Sequence, residues 1–150
     1  MTAKSAFDTT VNKVLQKNIE AVSEGVLDIA KFAIEATPVD NHEMIGSWSM
    51  VYNKSMPKPF AEGVSDYGGA SALAEIESAI GNTGAMFGNR TYRIVNTAPY
   101  ALTIEEGLYS PTESNKVTGG FSTQAPKGIL RVNEQNFADM ITTRIKEFNK

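Results

Sequence analysis

The residue types best suited to acid–base or metal chemistry form one short cluster, Asp40, His42 and Glu43. His42 is the chain's only histidine, and a histidine beside carboxylates can act as a general base or bind a metal ion. Ligands on a single turn seldom converge on one ion, and no second cluster completes a tetrahedral site. An acid followed three residues later by glutamate is typical of a helix capping box, so we expect Asp40 and Glu43 to cap a short helix.

Two other patterns could suggest chemistry, the adjacent acids Glu105 and Glu106 and the glycines within residues 82–89. Successive side chains point in different directions, so the two acids do not form the carboxylate pair of a glycosidase. The glycines lack the Gly-Lys-Ser/Thr ending of a phosphate-binding loop. The chain has no cysteine, which excludes disulfides, thiolate metal sites and thiol catalysis. The sequence therefore predicts a non-enzymatic protein with no catalytic residue, cofactor or metal.

The elements that position these residues form an α+β fold, with a long N-terminal helix and a C-terminal helix packed on a small, mainly antiparallel sheet. Apolar residues recur at helical spacing from Phe7 to Ala36, and again from 130 to 148. Residues 47–52 and 91–96 have strand composition and are expected to pair, with Trp48 in the core and residues 47–52 half-buried. Shorter helices are expected at 71–80 and 99–106, and a short strand at 129–132.

Two segments, residues 53–69 and 107–125, are predicted to be long flexible loops within one domain spanning residues 1–150. Segments without their own core often become ordered only against a neighbouring subunit. The first helix would be roughly 45 Å long, although Gly25 in its middle weakens it. A helix of that length either lies across the sheet or projects to contact a partner.

The net charge and the hydropathy of the chain argue against two classes of protein, nucleic-acid-binding proteins and membrane proteins. The formal net charge of −3 argues against a protein that grips nucleic acid through its phosphates. No stretch approaches the ~20 apolar residues of a membrane span, and the first residues lack the apolar core of a signal peptide. We therefore expect a soluble protein, synthesised in the cytosol, that does not contact a membrane.

Three short segments follow one another in a characteristic order. They are Thr37-Pro38-Val39-Asp40 followed by Ser47-Trp48; Asn96-Thr97-Ala98-Pro99-Tyr100-Ala101 followed by Ile104-Glu105-Glu106-Gly107; and Gln124-Ala125-Pro126-Lys127-Gly128-Ile129-Leu130-Arg131. In this order they resemble the family of small tail-component proteins in the head–tail module of lambda-like long-tailed bacteriophages. The chain departs from the family pattern at His42, where the family usually has glycine, and at Glu43, where a basic residue is usual.

The resemblance implies a virion protein of the neck or tail-completion region, forming a homo-oligomeric ring, expected to be a hexamer, that helps join the tail to the DNA-filled head. Its partners would be itself and the neighbouring connector, tail terminator or tail tube proteins. DNA would pass through the lumen without specific binding. Four acids are expected to face that channel or solvent: Glu62, Asp66, Glu75 and Glu77.

The residues of the three segments are the candidates for structural or interface roles. They are Thr37, Pro38, Asp40, Trp48, Tyr100, Glu105, Gly107, Pro126, Gly128 and Arg131. For three of them a structural role is expected in preference to partner contact. Tyr100 would pack in the core, Glu105 would accept a hydrogen bond from a backbone amide, and Gly107 would supply a positive φ at a helix end.

Other functions remain open at this point. A tail terminator ring, which stops growth of the tail tube, and a head-side connector or adaptor would suit the same α+β pattern, because fold alone does not fix function. Outside this class, a small protein that binds a host factor is the alternative. Such a protein would be a stable monomer with a defined apolar patch.

Overall fold

The computed structural model describes residues 2–40, 42–53, 55–83, 91–110 and 114–150. Two 3₁₀ turns, Tyr67–Gly69 and Arg131–Asn133, accompany the helices and strands. The elements are α1 (Ala3–Glu35), α2 (Glu43–Gly46), β1 (Trp48–Tyr52), α3 (Ala70–Thr83), β2 (Tyr92–Asn96), α4 (Ala101–Glu106), β3 (Val117–Thr118), β4 (Phe121–Ser122) and α5 (Glu134–Phe148). The predicted α+β fold is confirmed. Most of the glycine-containing segment at 82–89 lies outside the described residues.

The central sheet has two antiparallel strands, β1 and β2, with Trp48 opposite Asn96 and Tyr52 opposite Tyr92. The predicted pairing is therefore confirmed, and so is the buried position of Trp48. The expected half-buried pattern of β1 is wrong, because its first four residues are all buried. Helix α3 packs on this strand, and the indole of Trp48 reaches the end of α1, so β1 is covered on both faces.

Helix α1 begins at a Thr2 cap, whose side chain accepts a hydrogen bond from the Ser5 amide. Helix α5 packs antiparallel along it. At one end of this contact the rings of Phe32 and Phe137 lie 5.5 Å apart, and at the other Asn149 donates a hydrogen bond of 3.1 Å to Asn18. Residues 4–17 of α1 extend beyond this contact and are exposed. We call residues 4–17 the arm.

One hydrophobic cluster joins these elements. It includes Ile34 of α1, Trp48 of β1, Ile76 of α3, Ile104 of α4 and Ile129, which precedes α5. The buried residues therefore come from segments far apart in the chain, and the last third of the sequence helps to close the core.

The predicted capping box at Asp40 is wrong. The residue that precedes α2 is His42, which has a φ of +64° and makes no capping hydrogen bond through its side chain. This left-handed turn separates Asp40 from the helix, and the Asp40 carboxylate instead lies 3.1 Å from the ammonium group of Lys116. Glu43 accepts a hydrogen bond of 2.6 Å from the Gly63 amide.

The prediction of one flexible loop over residues 107–125 is also wrong. This segment contains the β3–β4 hairpin, and the Tyr109 amide donates a hydrogen bond of 3.0 Å to Gly120, which ties the hairpin to the end of α4. The short strand expected at 129–132 is absent from the described structure. The amides of residues 129–131 bind a carboxylate instead of a neighbouring strand, and a 3₁₀ turn follows.

The contact between α1 and α5 predicts a large effect at Gly25. A Cβ at this position would lie 2.6 Å from Cδ1 and 3.0 Å from Cα of Ile141. We expect Gly25→Leu to lower the free energy of unfolding by about 1–3 kcal/mol through overpacking, measured by urea denaturation. In the control, Gly81→Leu in α3, a Cβ meets nothing within 4 Å, so stability should rise by up to about 1 kcal/mol. Equal effects at both sites would contradict the close contact.

Candidate assembly interface

The first motif is held together by a buried hydrogen-bond chain. Trp48 Nε1 donates to Thr37 Oγ1 at 2.8 Å, and the Thr37 hydroxyl donates to the Ala33 carbonyl at 2.6 Å. The indole N–H and the hydroxyl, both inaccessible to water, are thereby satisfied. Thr37 and Trp48 therefore fix the end of α1 against β1, a structural role inside the domain.

The second and third motifs meet at the carboxylate of Glu105. This side chain accepts hydrogen bonds from three consecutive amides: Ile129 to Oε2 at 2.8 Å, Leu130 to both oxygens at 3.1 and 3.2 Å, and Arg131 to Oε1 at 2.7 Å. The neighbouring Glu106 forms an ion pair of 2.9 Å with the Arg131 guanidinium. Hydrogen bonds to an ionised acceptor are stronger than neutral ones, so this contact fastens α4 to the segment before α5.

Two glycines make this junction possible. Gly107 ends α4 with a φ of +67°, and a side chain there would collide with the Phe121 ring. Gly128 has a φ of +87°, and a Cβ on it would lie 2.6 Å from the Glu105 carbonyl oxygen. The positions expected for Glu105 and Gly107 from the sequence are confirmed, because Glu105 binds backbone amides and Gly107 has the positive φ of a helix end.

The first and third motifs are joined by Gln124. Its side-chain amide pairs with the backbone of Val39, accepting from the Val39 amide at 2.9 Å and donating to the Val39 carbonyl at 3.3 Å. Nearby, Asp40 and Lys116 form the exposed ion pair described above. All three motif segments are thus connected in space, although they are far apart in sequence.

A cleft of about 390 Å³ lies where these segments meet. Its lining includes Pro38, Asp40, Tyr100, Lys116 and Gln124. Burial, followed by the nearby carboxylate of Glu43, raises the pKa of the Tyr100 phenol above its ordinary value. Tyr100 also packs against the hydrophobic cluster, as expected from the sequence.

Several titratable side chains in and near the cleft contact one another. Asp40 and Lys116 bind each other, and His42 stacks against Tyr67 with ring centroids 4.2 Å apart. Within the described ranges, no three His, Asp or Glu side chains come together as metal ligands. In the same residues no helix is both long and apolar enough to cross a bilayer.

The arm presents the clearest unpaired surface. Phe7 is 67% exposed, Val14 is 48% exposed, and Val11 and Leu15 are also exposed. Phe7, Val11 and Val14 occupy positions i, i+4 and i+7, so their side chains lie on one face of the helix. Exposed apolar residues grouped on one face, which the described part of the domain leaves uncovered, are typical of a protein–protein contact.

The predicted site residues thus fall into distinct places. Thr37 and Trp48 form the internal hydrogen-bond chain, while Glu105, Gly107, Gly128 and Arg131 form the junction. Pro38, Asp40 and Tyr100 line the cleft, and Pro126 is exposed beside it. Sequence reasoning identified α1 as a possible partner contact but did not single out the apolar face of the arm. The spacing of Phe7, Val11 and Val14 carried that signal.

The expected position of one acid at a channel or in solvent is wrong. Asp66 is 7% exposed, and its carboxylate accepts hydrogen bonds from the Ser71 and Ala72 amides at the start of α3. Glu75 is exposed and pairs with Lys58 at 2.8 Å. Glu62 and Glu77 are exposed.

Comparisons with known proteins give no match to a family model, to a curated protein or to a solved structure.

The buried hydrogen bond between Trp48 and Thr37 predicts a measurable stability effect. Thr37→Val keeps the side-chain shape but leaves the indole N–H without an acceptor, so we expect a loss of about 1–3 kcal/mol in the free energy of unfolding. Thr37→Ser retains the hydroxyl and should lose less. Fluorescence of Trp48, the chain's only tryptophan, reports both unfolding transitions. Equal losses in the two variants would argue against the hydrogen bond.

Substitutions of the adjacent acids Glu105 and Glu106 provide a test and its matched control. Glu105→Gln removes the charge that three amides bind, and we expect a loss of about 2 kcal/mol with faster hydrogen exchange at the amides of residues 129–131. Glu106→Gln breaks an exposed ion pair and should change stability by about 1 kcal/mol or less. If the two substitutions had the same effect, the carboxylate of Glu105 would not hold this segment.

Proposed function

We propose that this protein is a non-enzymatic structural subunit of a long-tailed bacteriophage virion, which assembles into a ring in the neck or tail-completion region. In that position the ring helps to join the tail to the DNA-filled head. The observation that carries the assembly role is the exposed apolar face on the arm. A face of this kind is stabilised when another subunit covers it.

The location in the phage neck rests on the resemblance of the three motif segments. Two features of the structure support that resemblance. The segments are joined through Glu105 and Gln124, so their order and spacing belong to a single structural unit. His42, which stands where the family usually has glycine, has a φ of +64°, a conformation that glycine adopts at little cost.

The geometry also supports a heterologous ring. The arm projects from one end of the domain. Helix α5 ends near Asn18, so it places no matching apolar face beside the arm. An arm that contacts a different surface on the next subunit generates head-to-tail association, and such contacts close into rings when the rotation permits.

Electron microscopy of lysates from a phage with a stop codon early in this gene tests the proposal. We expect DNA-filled heads beside unattached tails of normal length, because the joining ring would be missing. Supplying the intact gene from a plasmid is the control and should restore joined, infectious particles.

Other outcomes of this experiment separate the alternatives. Overlong tail tubes would indicate a terminator ring, and heads that lose their DNA would indicate a head-side connector. Normal infectious particles would overturn the structural role altogether.

A further inference from the structure

The apolar face of the arm continues a seam that α5 covers farther along α1. Positions in this seam are separated alternately by four and three residues, as in the contact face of a coiled coil. They are Phe7, Val11, Val14, Asn18, Ala21, Gly25, Asp28 and Phe32. From Asn18 onward the seam is covered by α5, through Asn149, Ile141, Arg144 and Phe137. Before Asn18 it is exposed, so the arm has the surface of a helix that lacks a packing partner.

A groove suited to such a helix lies elsewhere on the same domain. Its volume is about 480 Å³, and it opens between α1, β2 and the start of α5. Its apolar lining consists of Val26, Ile29, Tyr92, Ile94, Leu130 and Phe137. Amphipathic helices bind such grooves through apolar residues at i, i+4 and i+7, the spacing of Phe7, Val11 and Val14.

The charges of the two surfaces are complementary. Among residues 4–17 there are three lysines, Lys4, Lys13 and Lys17, and one acid, Asp8. The groove is bordered by three acids, Glu105, Glu106 and Glu134, and by Arg131. Glu105 is bound by three backbone amides and Glu106 by Arg131, so the rim carries a net negative charge with Glu134 as its remaining acid. Two arms packed on each other would bring like charges together, whereas an arm in the groove places its net positive charge against this rim.

The arm cannot reach the groove of its own chain. Helix α1 is continuous from Ala3 to Glu35, and at about 1.5 Å per residue Val11 lies about 22 Å along the axis from Val26, which lines the groove. An arm that binds this groove must therefore belong to a different molecule.

We infer that the arm of each subunit binds the groove of a second copy of this chain, with Phe7, Val11 and Val14 seated on the apolar lining. The contact joins two different surfaces, so repetition of it builds the ring. This inference rests on the self-assembly proposed above and adds the two surfaces that meet.

Cysteine cross-linking tests this geometry directly, because the natural chain has no cysteine. Purified Val11→Cys protein is mixed with a size-tagged Ile94→Cys protein and oxidised mildly. We expect a disulfide-linked heterodimer on a non-reducing gel, since a disulfide forms only between Cβ atoms about 3.5–4.5 Å apart. Thr9→Cys, on the opposite face of the arm, is the matched control and should give at least tenfold less product. Glu134→Cys, at the exposed rim, replaces Ile94→Cys if that variant unfolds.

Each other outcome overturns a defined part of the inference. A disulfide between two Val11→Cys copies, with no heterodimer, would show that arms pair with arms. An oligomer by light scattering with neither product would exclude the groove but leave the ring in place. A monomer at every concentration would overturn self-docking, whereas the role in the virion is decided separately by the microscopy of mutant lysates.

Association strength provides a second measurement on the same face. We expect Val11→Glu to raise the dissociation constant of self-association at least tenfold in sedimentation experiments, because it places a charge on the apolar lining. Thr9→Glu makes the same charge change on the opposite face and should leave the constant within about twofold. Equal weakening by both would mean that charge alone, and not this face, controls association.

Discussion

The packing of α5 against α1 at Gly25 belongs to the most extensive contact between described elements, and it sets where α1 leaves the domain. A glycine there allows the backbone of Ile141 to approach closely, and from Asn18 to Phe32 the seam of α1 is partly or fully buried. Farther along, Asp28 receives two hydrogen bonds from the Arg144 guanidinium, at 2.7 and 3.1 Å, which fix the alignment of the helices. The same contact leaves the first half of α1 uncovered, so the boundary between core and arm is set by where α5 ends.

Hydrogen bonds between side chains and backbone groups hold segments that neighbouring strands would hold in a larger sheet. Among the described residues the central sheet has two strands, and the segments around Val39 and Leu130 belong to neither sheet. Backbone groups outside regular elements still need hydrogen-bond partners, and the side chains of Gln124 and Glu105 supply them at Val39 and Leu130. Asn96 likewise donates to the Met44 carbonyl of α2. Within the three motif segments, Glu105 and Gln124 therefore complete the backbone hydrogen bonding of irregular segments.

The sequence predicted the features that depend on local patterns. Helical spacing located α1 and α5, strand composition located β1 and β2, and the position of Gly107 at a helix end followed from its type. The failures depend on contacts between distant residues. Asp40 is a favourable cap by type, but the turn at His42 displaces it from the helix, and the Glu105 carboxylate removes residues 129–131 from strand geometry. The hairpin inside residues 107–125 was missed because strands of two residues carry almost no pattern.

Because α1 is one continuous helix, the number of residues between the core and the arm decides the direction in which the arm's apolar face points. Each residue of an α-helix turns the chain by about 100°, so inserting one residue between Lys17 and Ala21 would point the apolar face in a different direction while leaving the core intact. Inserting seven residues would turn the face by only about 20° and move it about 10 Å outward. The arm can therefore change length in steps of one heptad and keep nearly the same orientation. If the arm binds a second subunit as proposed, the distance between the two domains would change in the same steps.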